Sequence, residues 1–294
     1  MRWLRRAILV LALLVVVALG AAWCTGSSLI HPSHHLVGPP PKDLPCAEVQ
    51  FHSGSGAEIH GWYVAVPHAA RAVLLLHPSG GDRTSMLSYA RFLKTAGYAA
   101  LLIDFRCHGE STGDLRTFGW YESRDAISAV AWLREWNPGA KIAVIGTSLG
   151  GASALLAKGE LQADAIVAQS VYGDLRTAIW NRVEMRFGSW AANAFAPLLT
   201  CQVPLRLGLD LDQVSPIKAA AFTKCPVFVI HGTEDRHAHL REGRAIFDAC
   251  PSSQKQWWAV QGAAHVDLCT YAGTEYQRRV LAVLDGALRR TPPP

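Results

Sequence analysis

The most conspicuous run in the chain is an unbroken apolar stretch, residues 7–23, preceded by Arg2, Arg5 and Arg6. It has no polar face, so it does not read as a core helix. At 1.5 Å per residue it spans about 25 Å, slightly less than the hydrocarbon thickness of a bilayer. Residues 26–46 are rich in proline, glycine and histidine and read as a linker. Residues 47–52 and 59–66 predict two strands joined through Ser53-Gly54-Ser55-Gly56. From residue 72 onward, short apolar runs alternate with segments of helical spacing. The runs predict strands at 73–76, 99–103, 142–145, 165–168, 227–230 and 256–260. Helices are predicted at 86–96, 123–136, after Ser148, at 240–249 and at 274–288. Strands without polar alternation, separated by helices, predict a mostly parallel sheet covered on both faces.

Between residues 171 and 222 the alternation stops. The segment mixes Trp180, Phe187, Trp190, Phe195, Leu198 and Leu199 with Arg176, Arg182 and Arg186, and it is too long for an ordinary connection. It predicts a small helical, cap-like insertion over the C-terminal edge of the sheet, where pockets form. Trp180 and Trp190 are its candidate substrate-binding residues. The competing reading is a packing helix pair that never touches substrate. The expected division is therefore an N-terminal segment (1–25), a linker (26–46) and an α/β domain (47–290) containing the insertion.

Composition refines this picture in three respects. Half of the 294 residues are hydrophobic, enough for one large core. The net formal charge is +5, and Arg2, Arg5 and Arg6 supply three of it. The remainder is too weakly basic for nucleic acid, and no basic run with interleaved aromatics appears. Those arginines should stay on the cytoplasmic side, so the body should cross the membrane. It would then be held by a single-pass signal anchor, or be exported or periplasmic after removal of a signal peptide near Gly20-Ala21-Ala22. Trp23 stands where a lipoprotein site before Cys24 would need a small residue. The seven cysteines are odd in number and irregularly spaced, so no pairing is assigned and most read as small buried hydrophobes. No metal-ligand spacing and no phosphate-cradling glycine loop is present.

The candidate chemistry begins at Gly146-Thr147-Ser148-Leu149-Gly150-Gly151, which follows an apolar strand and opens a helix. A serine at so sharp a turn needs small neighbours, and the G-x-S-x-G spacing supplies them. A serine hydroxyl is a weak nucleophile; it needs a base, an acid to orient that base, and donors for the oxyanion. His265 follows the last predicted strand and Asp235 the one before, in the chain order Ser148, Asp235, His265. Glu234 is the second choice of acid, with Asp210 and Asp212 further options. His237 and His239 compete with His265 but precede a helix, whereas His77 and His231 end strands and read as structural. The oxyanion donors should be the amides of Leu149 and Ser79, with Gly80 next, because Pro78 has no N–H.

These residues resemble the α/β-hydrolase superfamily over the chain from about Glu48 onward. Within it they look closest to the Bem46-like, serine-aminopeptidase-like membrane-anchored hydrolases, which carry an Asp-aromatic-Arg-Gly-His-Gly-x-Ser motif. Here that motif reads Asp104-Phe105-Arg106-Cys107-His108-Gly109-Glu110-Ser111, with Cys107 in place of a glycine. Pro78 likewise replaces the usual glycine after His77. The motif itself reads as structural. The resemblance implies an eight-stranded sheet and serine-dependent hydrolysis without a cofactor or metal. The expected reaction is acyl transfer from a small-molecule or lipid-like carboxylic ester. The alternatives are a serine peptidase and a non-catalytic binding protein of the same fold.

Overall fold

The computed structural model describes residues 2–288; the last two residues of the expected α/β domain, 289 and 290, lie outside the described residues. Eight strands form one sheet: β1 (Ala47–His52), β2 (Glu58–Val64), β3 (Arg71–Leu76), β4 (Ala99–Ile103), β5 (Lys141–Thr147), β6 (Ala165–Gln169), β7 (Val227–Gly232) and β8 (Lys255–Val260). Their order is β8-β7-β6-β5-β3-β4-β2-β1, and β2 alone runs against its neighbours. The mostly parallel sheet is the one the alternating apolar runs predict, and its eight strands are the number the family resemblance implies.

The core lies on both faces, as period-two strands buried on both sides require. Val73, Leu75, Ala100 and Leu102 point into one layer, closed by α2 (Leu87–Thr95) and α9 (Leu268–Ala287). Leu74, Leu76, Leu101 and Ile103 point into the other, closed by α3 (Glu122–Trp136), α4 (Leu149–Leu156) and α8 (Leu240–Ala249). Register then places the loops that matter. Leu76 pairs with Gly146 and Thr147 with Gln169, so the loops after β3, β5 and β6 are neighbours. Gly232 pairs with Val260, which sets the loops after β7 and β8 side by side.

Two boundaries depart from the sequence reading, the start of the last helix and the end of the insertion. Helix α9 begins at Leu268, six residues earlier than 274. Asp267 caps it by accepting from the amides of Cys269 and Thr270, and Gly273 (φ 53°) bends it where the apolar period is interrupted. The insertion is helical: α5 (Leu175–Thr200), bent at Gly188 (φ 81°), is followed by α6 (Gln202–Leu207). The short α7 (Pro216–Ala220) packs on α4 and α8, so it belongs to the ordinary β6–β7 crossover.

The expected linker is a docked strap. The N-terminal helix α1 (Arg2–Ile30) runs into it. Ser33 and His34 then pair in parallel with His108 and Gly109, His35 bonds Asp82 at 2.8 Å, and Leu44 is buried. Its partners are distant in sequence, which local composition cannot show. All seven cysteines are free, and Cys24 and Cys201 are the exposed ones.

Candidate active site

Ser148 stands between β5 and α4 in a conformation that L-residues rarely adopt, φ 52° and ψ −108°. Its neighbours show why the turn demands glycine. A Cβ on Gly146 would lie 2.4 Å from the Gly150 carbonyl carbon, and one on Gly150 would lie 2.2 Å from the Leu76 oxygen. The Ser148 amide donates to the Gln169 carbonyl at 2.8 Å, fastening the turn to the end of β6. Strain of this kind persists only when the surroundings over-determine it.

Asp235 and His265 are brought together by the pairing of β7 with β8. His265 Nδ1 lies 2.7 Å from Asp235 Oδ2. The other carboxylate oxygen accepts from the amides of His237 and Ala238, at 2.9 and 3.0 Å. Burial alone would raise the Asp235 pKa, but these hydrogen bonds and the His265 charge hold it below the ordinary carboxylate value. An ionised Asp235 fixes the proton on Nδ1 and leaves Nε2 as an acceptor. The His237 ring stacks on His265 with centroids 4.8 Å apart. Burial and the nearby Arg182 charge push the His237 pKa down to about 4, so the stacked ring is neutral. Among the described residues, no hydrogen bond joins the Ser148 hydroxyl to His265.

The other acid candidates are placed elsewhere. Glu234 is exposed, while Asp210 and Asp212 belong to a surface turn after the insertion. His239 caps α8 with Glu242. His231 is buried and its Nε2 donates to the Ala238 carbonyl, 2.6 Å away, bracing the Asp235 loop as a structural group.

His77 holds the loop after β3. The Phe105 amide donates to its Nε2 at 3.0 Å, so Nδ1 carries the proton and donates to the Pro78 carbonyl at 2.7 Å. Burial pushes its pKa down to about 4, which keeps this tautomer neutral. Among the described residues, no hydrogen bond occupies the amides of Ser79 or Leu149, the two expected oxyanion donors. The Asp104–Ser111 motif is the frame beside this loop. Asp104 accepts from the Arg83 amide at 2.7 Å and from its guanidinium at 2.5 Å, and Ser111 Oγ donates to the Asp104 carbonyl at 2.7 Å. Cys107 adopts φ 61°, the left-handed conformation a glycine would take, and burial pushes its thiol pKa up, away from nucleophilic use.

A cavity of about 470 Å³ opens at this edge of the sheet, lined by Thr147, Ser170 and His265 with Leu87, Tyr89 and Val266. Neither Trp180 nor Trp190 lines it. The Trp180 indole N–H donates to Asn193 at 3.1 Å, within the insertion, and Trp190 follows the bend at Gly188 and faces outward. The insertion instead touches the site through Asn181, which donates to the His237 carbonyl at 3.2 Å and to Glu242 at 2.7 Å.

Two residues at the cavity escape the sequence reading. Gln169 bonds Tyr89, Thr147 and Tyr276 at 2.6, 2.6 and 2.7 Å, a buried polar knot beneath the nucleophile turn. Ser170 is 1% exposed and sits at φ 53°, and its hydroxyl has no partner among the described residues. The available signal was a polar pair ending an otherwise apolar strand.

Comparison with known proteins identifies the family and the fold. A sequence profile described as the alpha/beta hydrolase family matches residues 73–274. The chain is 26% identical over 239 residues to the uncharacterized protein YqkD of Bacillus subtilis, covering 79% of this chain and 77% of that one. It is 29% identical over 274 residues to the uncharacterized protein Rv2307c of Mycobacterium tuberculosis, covering 89% of each. Among solved structures, the Pyrococcus furiosus esterase Pf2001 superimposes with a TM-score of 0.75 at 23% identity, over 89% of this chain and 99% of its own. These similarities establish the superfamily and no narrower subgroup.

Proposed function

Because the chain belongs to the alpha/beta hydrolase family, we propose that it is a serine hydrolase acting on carboxylic esters through an acyl-enzyme. The observation that carries this reading is the Asp235–His265 pair, closed at 2.7 Å beside a cavity lined by His265 itself and by Thr147, the residue before Ser148. Ser148 is the nucleophile, His265 takes its proton and later activates water, and Asp235 holds the imidazole tautomer. The amides of Leu149 and Ser79 receive the negative charge of the tetrahedral intermediate. Charge balance is internal: the proton leaving Ser148 passes through His265 to the departing alcohol, and water restores it. No cofactor enters this sequence.

The cavity wall favours esters over charged peptides, since Leu87 and Val266 offer apolar area that rewards an acyl chain. The test is kcat/KM for p-nitrophenyl esters of graded acyl length beside aminoacyl anilides. Esters should be preferred; faster turnover of the anilides would replace the esterase with a peptidase.

The same proposal places the domain on the non-cytoplasmic side of a membrane, anchored by α1. Among the described residues one helix, Arg2–Ile30, is long and apolar enough to cross.

A further inference from the structure

We propose that residues 187–205 of the insertion form a second membrane contact, an interfacial face seated in the surface of the lipid bilayer that α1 crosses. The inference rests on the anchor reading above and extends it to a surface of the α/β domain itself.

The segment 187–205 contains no Asp, Glu, Lys or Arg, while Arg182, Arg186 and Arg206 bracket it. Its exposed positions include Trp190, Ala194, Pro197, Cys201 and Leu205, with the uncharged Ser189, Asn193, Phe195 and Pro204 beside them. The first five are three or four residues apart, the spacing of a single helical face. The face continues from α5 into α6 because Cys201, between them, keeps right-handed helical angles, φ −66° and ψ −17°. Phe187 extends it across the Gly188 bend. Phe187 is 69%, Trp190 79% and Leu205 76% exposed. Single exposed hydrophobes are ordinary, but a contiguous uncharged stripe marks a surface with a partner.

The identity of that partner comes from where the stripe ends. Leu205 adjoins Arg206, whose guanidinium lies 3.7 Å from the centre of the Trp23 ring. Arg206 also donates to the Trp23 carbonyl at 2.7 Å and to Ser27 Oγ at 2.9 Å. Gln202 donates to the Ala22 carbonyl at 3.1 Å. At Gly26 the two helices are so close that a Cβ would lie 2.3 Å from Gln202 Oε1. The apolar run of α1 ends at Trp23, and tryptophan and arginine at such an end mark the bilayer interface. The grip therefore fixes α6 at interfacial depth, with its uncharged stripe at the same level. A soluble partner would have to compete with lipid for this position.

The test uses the full-length chain carrying Cys24→Ser, which leaves Cys201 as the exposed cysteine among the described residues, labelled with an environment-sensitive fluorophore. The protein is reconstituted in phosphatidylcholine vesicles, with flotation at high salt as a control. We expect nitroxide lipid labelled near the headgroup to quench Cys201 about threefold more than aqueous iodide does. Trp190→Glu combined with Leu205→Glu should reverse that ratio without releasing the chain from vesicles. A chain that fails to float overturns the anchor reading and this inference together. One that floats with Cys201 quenched by iodide overturns this inference alone. A label hidden from both quenchers on a dimeric chain assigns the stripe to a second copy and also overturns it.

Discussion

Asp235 and His265 come from the loops after two adjacent parallel strands, and Oδ2 of one meets Nδ1 of the other at 2.7 Å. The pair is directional. The remaining Asp235 oxygen is held by two backbone amides, so the carboxylate cannot turn away, and the imidazole it holds presents Nε2. Asp235→Asn should lower kcat for p-nitrophenyl acetate by about 10⁴-fold, because an amide stabilises the wrong tautomer. Glu234→Gln, on an exposed side chain, should stay within about twofold of the parent. A reversed ranking would move the acid to Glu234.

Ser170 yields a prediction in which stability and activity separate. Its buried hydroxyl has no protein partner among the described residues, so Ser170→Ala removes an unsatisfied group and should leave Tm unchanged or slightly raised. The residue also belongs to the cavity wall beside His265, so a substrate oxygen or water bound there would supply the partner the hydroxyl lacks. Steady-state kcat/KM should fall about tenfold, the equivalent of one hydrogen bond of ~1.4 kcal/mol. Full activity in the alanine variant would make Ser170 a bystander.

Gly150→Ala probes the turn itself. The added methyl, on the first turn of α4, would meet the Leu76 backbone oxygen at 2.2 Å, and β3 cannot move away without breaking its pairing with β5. Chemical denaturation should show a loss of about 3 kcal/mol. Substitution at Gly139, which has open space but φ 76°, should cost less.

The pH dependence of stability should carry the signature of histidines whose pKa burial lowers, His77 and His108 among them. Burial lowers His77 and His108 from 6.5 to about 4, so each is neutral in the fold and gains a proton on unfolding. Their contribution is present above pH 6.5 and is lost as pH falls from 6.5 toward 4. Asp125, raised by burial to about 6, works in the opposite direction over part of that window. The difference between variant and parent therefore isolates the histidine. His108→Asn should lose less Tm than the parent between pH 6.5 and 4 by thermal denaturation. Parallel curves would show that His108 is not the group.

Much of this is legible in the sequence, for physical reasons. Strands such as Ala99–Ile103 and Val227–Gly232 are buried on both faces and announce themselves as apolar runs. Ser148, Asp235 and His265 are marked by where such strands end. The early start of α9 is hidden because an Asp267 cap and a Gly273 bend break its apolar period. The strap at 26–46 is hidden because its partners, among them Asp82 and the Cys107–Gly109 backbone, are remote in the chain. Trp190 misleads because a large aromatic in an insertion reads equally as pocket lining or as outer surface. Only the bend at Gly188 and the helical face that follows decide between them.

The central claim is that Ser148 is the nucleophile of a serine hydrolase. Full-length protein treated with a fluorophosphonate should gain one covalent adduct, mapped by peptide mass spectrometry to Ser148, with simultaneous loss of esterase activity. Ser148→Ala should take up no label and turn over no ester while keeping the parent's Tm and circular dichroism. An adduct on another serine, or undiminished labelling and turnover in the folded Ser148→Ala protein, would contradict the account.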